Sequence, residues 1–315
     1  MKSAWVSTAV SATVLLVLGV AFGGQQASAP QRSEAGVEAP SMTVPPKPTP
    51  PIPEGNTGIA AEYPGDVGMA KDPAVVLVCD YDDPDTWKQG WQGNLVDLYR
   101  HTTEPSHVFR GRGAVCVMQK QGSTGGAAHF NLAHGETQLY HRWYAKFPEG
   151  IHTDNDIMKQ AGFGGVGPGK PDWWALGNAG QRVDGKDRLF AIMCPTGAGQ
   201  TGLYFYHPDQ KGPWGDWITF GPTLDYTQWN CYEFMLRLND PAERNGEMKC
   251  WVNGQAVKTI GGLRFRTWDK LLINQILDEA YNQVMEDYTV CVDNRVVARS
   301  YIGPVAEEPV TSEEP

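Results

Sequence analysis

From Glu136 onward the chain alternates with period two. Leu139, His141, Trp143, Ala145 and Phe147 point one way, and Tyr140, Arg142, Tyr144 and Lys146 point the other. That pattern belongs to a strand with one packed face and one face toward water or a ligand. A loop led by Pro148 and Gly150 follows, and then the run Met158 to Phe163, in which a single lysine, Lys159, enters an apolar, glycine-rich segment. Other short runs read as strands: Val75 to Cys79, Gly113 to Gln119, Ala127 to Leu132, and the pair Leu189 to Cys194 and Gly202 to His207. The clearest hairpin sets Tyr232, Phe234, Leu236 and Leu238 against Glu233, Met235, Arg237 and Asn239. It returns over Glu247 to Asn253 and turns tightly at Asn253-Gly254. Leu271 to Asn282 is the one place where a short helix is expected, and Tyr288 to Arg299 is a closing strand. Short strands spread over about 230 residues predict an all-β jelly-roll sandwich of two antiparallel sheets, spanning 74–304.

The ends are different. Residues 1–29 pair a basic start with an apolar run, Val14 to Leu18, and an Ala27-Ser28-Ala29 site, the form of a secretory signal. Pro30 disfavours cleavage at that point, which leaves an uncleaved single anchor as the only membrane attachment to consider. Either way the protein is expected to be exported. Residues 30–73 are rich in Pro, Ala, Glu and Ser and predict an extended, disordered spacer, since they hold too little apolar surface to offset ordering entropy. Residues 305–315 read as a disordered acidic tail.

The formal net charge of −10 argues against nucleic acid as a partner, because phosphate binding rests on Lys and Arg. A local cationic pocket for an acidic sugar remains compatible with it. The six cysteines show no zinc spacing; in an exported chain they allow up to three disulfides, with several as small buried side chains the simpler reading. Asp80, Asp82, Asp83 and Asp85 offer oxygens to a structural Ca²⁺. They lack the glycine and distal Glu of an EF-hand loop, so an acidic turn is the simpler account and no cofactor is required. A monomer is expected.

Polar and aromatic side chains that share a strand face are the candidate ligand surface. Tyr204 and Tyr206, two apart, must lie on one side of their strand, with Leu203 and Phe205 on the other. Tyr140, Arg142 and Tyr144 form a second set, and Arg237, Lys249 and Trp251 a third. Each sheet has an outer face on which such residues could simply be decoration, and only one of the two would be a groove.

Glu136 to Gly165 resembles the strand-loop-strand of concanavalin A-like polysaccharide lyases, in particular the alginate lyases of polysaccharide lyase family 14 and the glucuronan lyases of family 20. Met158-Lys159-Gln160-Ala161-Gly162-Phe163-Gly164-Gly165 is similar to the lysine-bearing strand of family 14, and Tyr204-Phe205-Tyr206 to its later Tyr-x-Tyr pair. The run from Arg237-Leu238-Asn239 through Trp251-Val252-Asn253-Gly254 and the closing Asp293 to Pro304 are likewise similar. One departure concerns the strand after the lysine segment, where the family's Arg is displaced and only Arg188 is at hand. The paired-carboxylate strand of laminarinase-like hydrolases is absent, which argues against a retaining glycosidase with carboxylates about 5 Å apart.

The resemblance implies β-elimination at a uronic acid in an acidic polysaccharide. Lys159 and an arginine, Arg188 or Arg142, would neutralise the C5 carboxylate, with Lys159 also eligible as base. Tyr204 and Tyr206 would be the base/acid pair. Tyr140, Tyr144, Gln160, Arg237, Lys249 and Trp251 would bind substrate, His129 is open as a subsite group, and His141 reads as a core histidine by parity. The competing reading is a non-catalytic carbohydrate-binding sandwich that uses the same aromatics.

Overall fold

The computed structural model describes residues 51–147, 151–176 and 178–307. The apolar N-terminal run, the spacer up to residue 50, the loop at Pro148 and Gly150, and the acidic end from residue 308 lie outside the described residues.

The first strands in chain order are β1 (Val75–Cys79), β2 (Trp91–Gln92), β3 (Tyr99–Thr102), β4 (Ala114–Gln119), β5 (Gly125–Glu136), β6 (Gln138–Lys146) and β7 (Lys159–Val166). They continue with β8 (Arg188–Pro195), β9 (Thr201–Tyr206), β10 (Asp216–Phe220), β11 (Asn230–Arg237), β12 (Gly246–Val252), β13 (Gln255–Leu263), β14 (Ile273–Tyr281) and β15 (Tyr288–Ala298). An eight-stranded sheet runs β13-β12-β11-β6-β15-β4-β3, with β1 also paired to β15. A seven-stranded sheet runs β10-β9-β8-β7-β14-β5-β2. All the ladders are antiparallel, and the two sheets pack as the expected jelly-roll sandwich.

The core lies between the sheets, where strand parity puts it. Trp143 and Phe234 from the larger sheet meet Phe163, Phe205 and Ile276 from the smaller one, all buried. Each such side chain gains about 1.5–3 kcal/mol over exposure. His141 shares this inward face and places Nδ1 3.3 Å from the Gly162 carbonyl. The turn at Asn253-Gly254 has φ of 49° and 78°, the doubly left-handed geometry that a two-residue hairpin needs. Cys116 and Cys291 face each other across β4 and β15 and form a disulfide, while Cys194, Cys231 and Cys250 are buried thiols.

One ion pair sits inside the sandwich. Asp278, on the inward face of β14, meets Arg295 of β15 at 2.8 Å and accepts a 2.7 Å hydrogen bond from the Tyr99 hydroxyl. The Arg295 guanidinium lies 5.0 Å from the Trp91 ring centre. Both charges are taken out of water, so each depends on the other.

Three expectations are corrected. Residues 271–282 are not helical but supply β14, a central strand: Ile276 and Ala280 face the core and Leu277 the opposite side, and the inward Asp278 masks the period of two. The spacer ends earlier than its composition implies. Ile59, Ala60 and Met69 are buried against Val296, Ala298 and Ile302 on the outer face of the larger sheet, and the Trp251 indole donates to the Pro53 carbonyl at 2.7 Å. Too few apolar residues, too widely spaced, made this strap look like coil. The tail also begins later than 305, since the Val305 amide donates to the Tyr144 hydroxyl and Gly65 donates to the Ala306 carbonyl.

Candidate active site

The outer face of the smaller sheet gathers the chemistry. On β9, Tyr204 and Tyr206 point outward while Leu203 and Phe205 enter the core. Their hydroxyls share a 2.8 Å hydrogen bond. Next to β9, β8 places Phe190 opposite Tyr206 and Ile192 opposite Tyr204, and Arg188, two residues before Phe190, sets its guanidinium 4.6 Å from the Tyr206 ring centre.

Lys159 opens β7. By simple alternation it would share the side of Ala161 and Phe163, which are in the core. The register between β7 and β14 shifts between Asp278 and Tyr281, however, and Lys159 emerges on the outer face. Its ammonium is 5.5 Å from the Tyr204 ring centre and 4.9 Å from that of Tyr281. The same irregularity turns Gln160 inward, where its Oε1 accepts from the Trp143 indole at 3.0 Å. Gln160 is therefore a core residue, not a substrate ligand.

Access divides the cluster into two layers. Lys159 and Tyr204 line an open cavity of about 430 Å³ together with Asn155, Trp214, Trp217 and Tyr281. Arg188, Tyr206 and Glu279 lie behind them in a small recess, roofed by Ala175, Leu176 and Ala179. The roof is tied down: the Gly180 amide donates to the Tyr206 hydroxyl at 3.2 Å, and Arg188 donates to the Gln181 carbonyl at 2.7 Å.

Burial disfavours charge here, and the directions follow. Burial, and then the hydrogen bond and charge of Tyr206, hold the Tyr204 phenol well above its usual range. Burial pulls Arg188 down, opposed by the two phenols. Glu279, outward-facing on β14 and out of water, is pushed up to about 7 by burial, with Lys159 pulling it back and Asp278 adding to the rise.

Glu279 carries a testable consequence. Its carboxyl holds a proton more tightly in the folded chain than in the unfolded one. Its contribution to stability is therefore complete below about pH 4.5, the ordinary value, and drains away as pH rises toward 7. Glu279→Gln cannot titrate. Relative to the wild type it is expected to gain on the order of 1–3 kcal/mol between pH 5 and pH 8, read from urea unfolding at the two pH values.

The other expected ligands lie elsewhere. Arg142 points outward as its parity requires, but that outward face belongs to the larger sheet and is covered by the 51–73 strap. Its guanidinium is fully buried, paired with Asp66 and donating to the Gly303 and Asn294 carbonyls. Tyr144 stacks on Phe109 with ring centres 3.7 Å apart, and Tyr140 and Trp251 pack 5.9 Å apart. Arg237 and Lys249 both reach Glu247. None of these six shares a surface with Lys159. His129 does lie on the outer face of the smaller sheet, opposite Leu277 in register, and neither ring nitrogen meets a protein partner. Burial lowers its affinity for a proton, with Asp172 opposing.

A second hollow of about 540 Å³ lies beside the strap, lined by Asp66, Asp80, Asp82 and Arg110 among others. Its acids are already engaged: Asp66 pairs with Arg142, Asp80 accepts from the Asp82 amide, and Asp82 accepts from the Arg112 and Gly113 amides. No phenol or lysine enters it, so the cavity at Lys159 is the better candidate despite its smaller volume.

Sequence reading missed Glu279, Tyr281, Trp214, Trp217 and the roof. The first two fell in the stretch read as helical. The alternation Gln275, Leu277, Glu279, Tyr281 was the available signal.

Two antiparallel sheets in this order are similar in fold to solved polysaccharide lyases. Among solved structures, the chain is similar to the marine PL-14 alginate lyase from Aplysia kurodai (TM-score 0.58, 13% identity, covering 72% of this chain and 99% of that one). An alginate lyase from Chlorella virus aligns at TM-score 0.55 and 17% identity, over 72% of this chain and all of the other. The endo-β-1,4-glucuronan lyase from the fungus Trichoderma reesei aligns at TM-score 0.50 and 16% identity, over 72% and 96%. At these identities the likeness is one of fold. No family model matches the chain, and no curated protein matches it.

Proposed function

We propose that the protein is an exported polysaccharide lyase that cleaves a uronate-containing polysaccharide by β-elimination. The observation that carries this reading is the meeting of Lys159 with the hydrogen-bonded Tyr204–Tyr206 pair at one cavity, with Arg188 behind. Elimination needs positive charge at the C5 carboxylate, a base for the C5 proton and an acid for the departing O4.

Lys159, exposed to the cavity, pairs with the carboxylate and so acidifies C5–H. Of the hydrogen-bonded pair, Tyr204 is the member that lines the open cavity. Tyr206 accepts from the Gly180 amide and bridges to Tyr204. Once Tyr204 has lost its proton, the Lys159 ammonium beside its ring offsets the charge. The Tyr204 oxygen then takes the C5 proton as the C4=C5 double bond forms and the C4–O4 bond breaks, and it returns a proton to O4. No water is consumed.

Supporting an exported setting are the N-terminal pattern of residues 1–29 and the Cys116–Cys291 disulfide, which suits an oxidising compartment. The test is incubation with a panel of uronate polymers, following the ultraviolet absorbance of the unsaturated product. Lys159→Ala is expected to lower kcat/KM by about 10²-fold or more. Absence of product on every polymer, together with retention on glycan affinity gels, would leave the binding-module reading standing.

A further inference from the structure

The open cavity offers its ligand one positive charge and several flat apolar faces. Among the described residues that line it, Lys159 is the one cation. Arg188 lies in the roofed recess with Tyr206 and borders a separate hollow with Arg182, not this cavity. The remaining lining consists chiefly of Trp214, Trp217, Tyr281 and the uncharged amides Asn155 and Asn282. Trp214 and Tyr281 stay 61% and 40% exposed, an arrangement that marks a surface meant to be covered.

The two indoles have built seats. Trp217 lies so close over Gly202 that a Cβ there would come within 2.3 Å of its ring, and its Nε1 donates to the Thr219 hydroxyl at 2.9 Å. Trp214 lies over Gly180, where an added Cβ would stand 3.0 Å from the ring, and its carbonyl accepts from Gln210 at 3.1 Å. Between them in the chain is an acid, Asp216, paired with His207 at 2.8 Å.

We infer that this cavity binds a single uronate flanked by uncharged sugars, so that the substrate is a heteropolysaccharide with isolated uronates rather than a polymer charged on every residue. The inference rests on the lyase reading above. A homopolyuronate brings a carboxylate to every subsite, and each would need its own cation to offset desolvation. Here the positions beside Lys159 present aromatic rings, which pack against the C–H faces of neutral pyranoses. The net charge of −10 adds a field that repels a dense polyanion but scarcely opposes a sparse one.

The test separates the two readings by using binding for one and product for the other. The full chain carrying Tyr204→Phe, to stop turnover, is titrated at fixed ionic strength. One ligand set is polymannuronate, polyguluronate and glucuronan; the other is polymers of matched length that alternate glucuronate with a neutral hexose or N-acetylhexosamine. The alternating polymers are expected to bind about tenfold more tightly. Trp214→Ala should remove about that factor. Trp214→Lys should weaken the alternating polymers and strengthen the homopolyuronates. Equal or tighter homopolyuronate binding, no binding by either class, or indifference to both Trp214 changes would overturn the inference. Unsaturated product formed by the wild type is scored separately: preference without product defeats the elimination chemistry and leaves the ligand class standing.

Discussion

Under the proposed elimination, Tyr204→Phe is expected to lower kcat on a cleavable uronate polymer by about 10²–10⁴-fold, the span of a lost general acid–base group, with little change in KM. The ring remains to line the cavity while the proton-handling oxygen is gone. Tyr206→Phe should cost less, about 10–100-fold, because it removes a hydrogen bond that positions the Tyr204 hydroxyl rather than the reacting oxygen. The pH profile distinguishes a chemical role from a packing role. Burial holds the Tyr204 phenol above its usual range, so the reactive phenolate is scarce at neutrality and kcat/KM should climb on the alkaline side. Tyr206 adds to that rise, so in Tyr206→Phe the climb should move to lower pH. A loss of rate in Tyr206→Phe with an unmoved profile would reduce Tyr206 to scaffolding.

The second large effect concerns stability. Asp278→Asn is expected to cost about 3–5 kcal/mol, because it strands the Arg295 guanidinium between the sheets without its counter-charge. In a domain of this size that corresponds to a fall in Tm on the order of 10 °C, read by thermal unfolding. Replacing both partners with apolar residues, Asp278→Leu with Arg295→Met, should recover much of the loss, since neither charge is then left unpaired. A double variant no more stable than Asp278→Asn would locate the effect in packing instead.

Local pattern revealed much of this molecule. Period-two alternation placed β6, β11 and β15, and the spacing of Tyr204 and Tyr206 put both on one face because neighbours two apart in a strand always share one. What alternation could not give is which outer face is free. Arg142 and Tyr144 obey their parity yet meet the strap and the closing segment, contacts made across more than 70 residues of sequence. Lys159 and Gln160 defeat parity outright, because a register shift is a property of two strands together. Glu279 was hidden by its neighbour: a charged residue facing inward, as Asp278 does, erases the contrast on which the pattern depends.

Both ends of the described chain rest on the larger sheet. Pro53 receives the Trp251 indole, Gly55 donates to the Gly254 carbonyl at 2.7 Å, and Ala306 receives the Gly65 amide. Lys159 and the phenols open from the opposite side of the sandwich. Immobilising the molecule on a support through a residue of the 51–73 strap should therefore hold it by its back and leave its working side turned toward the medium.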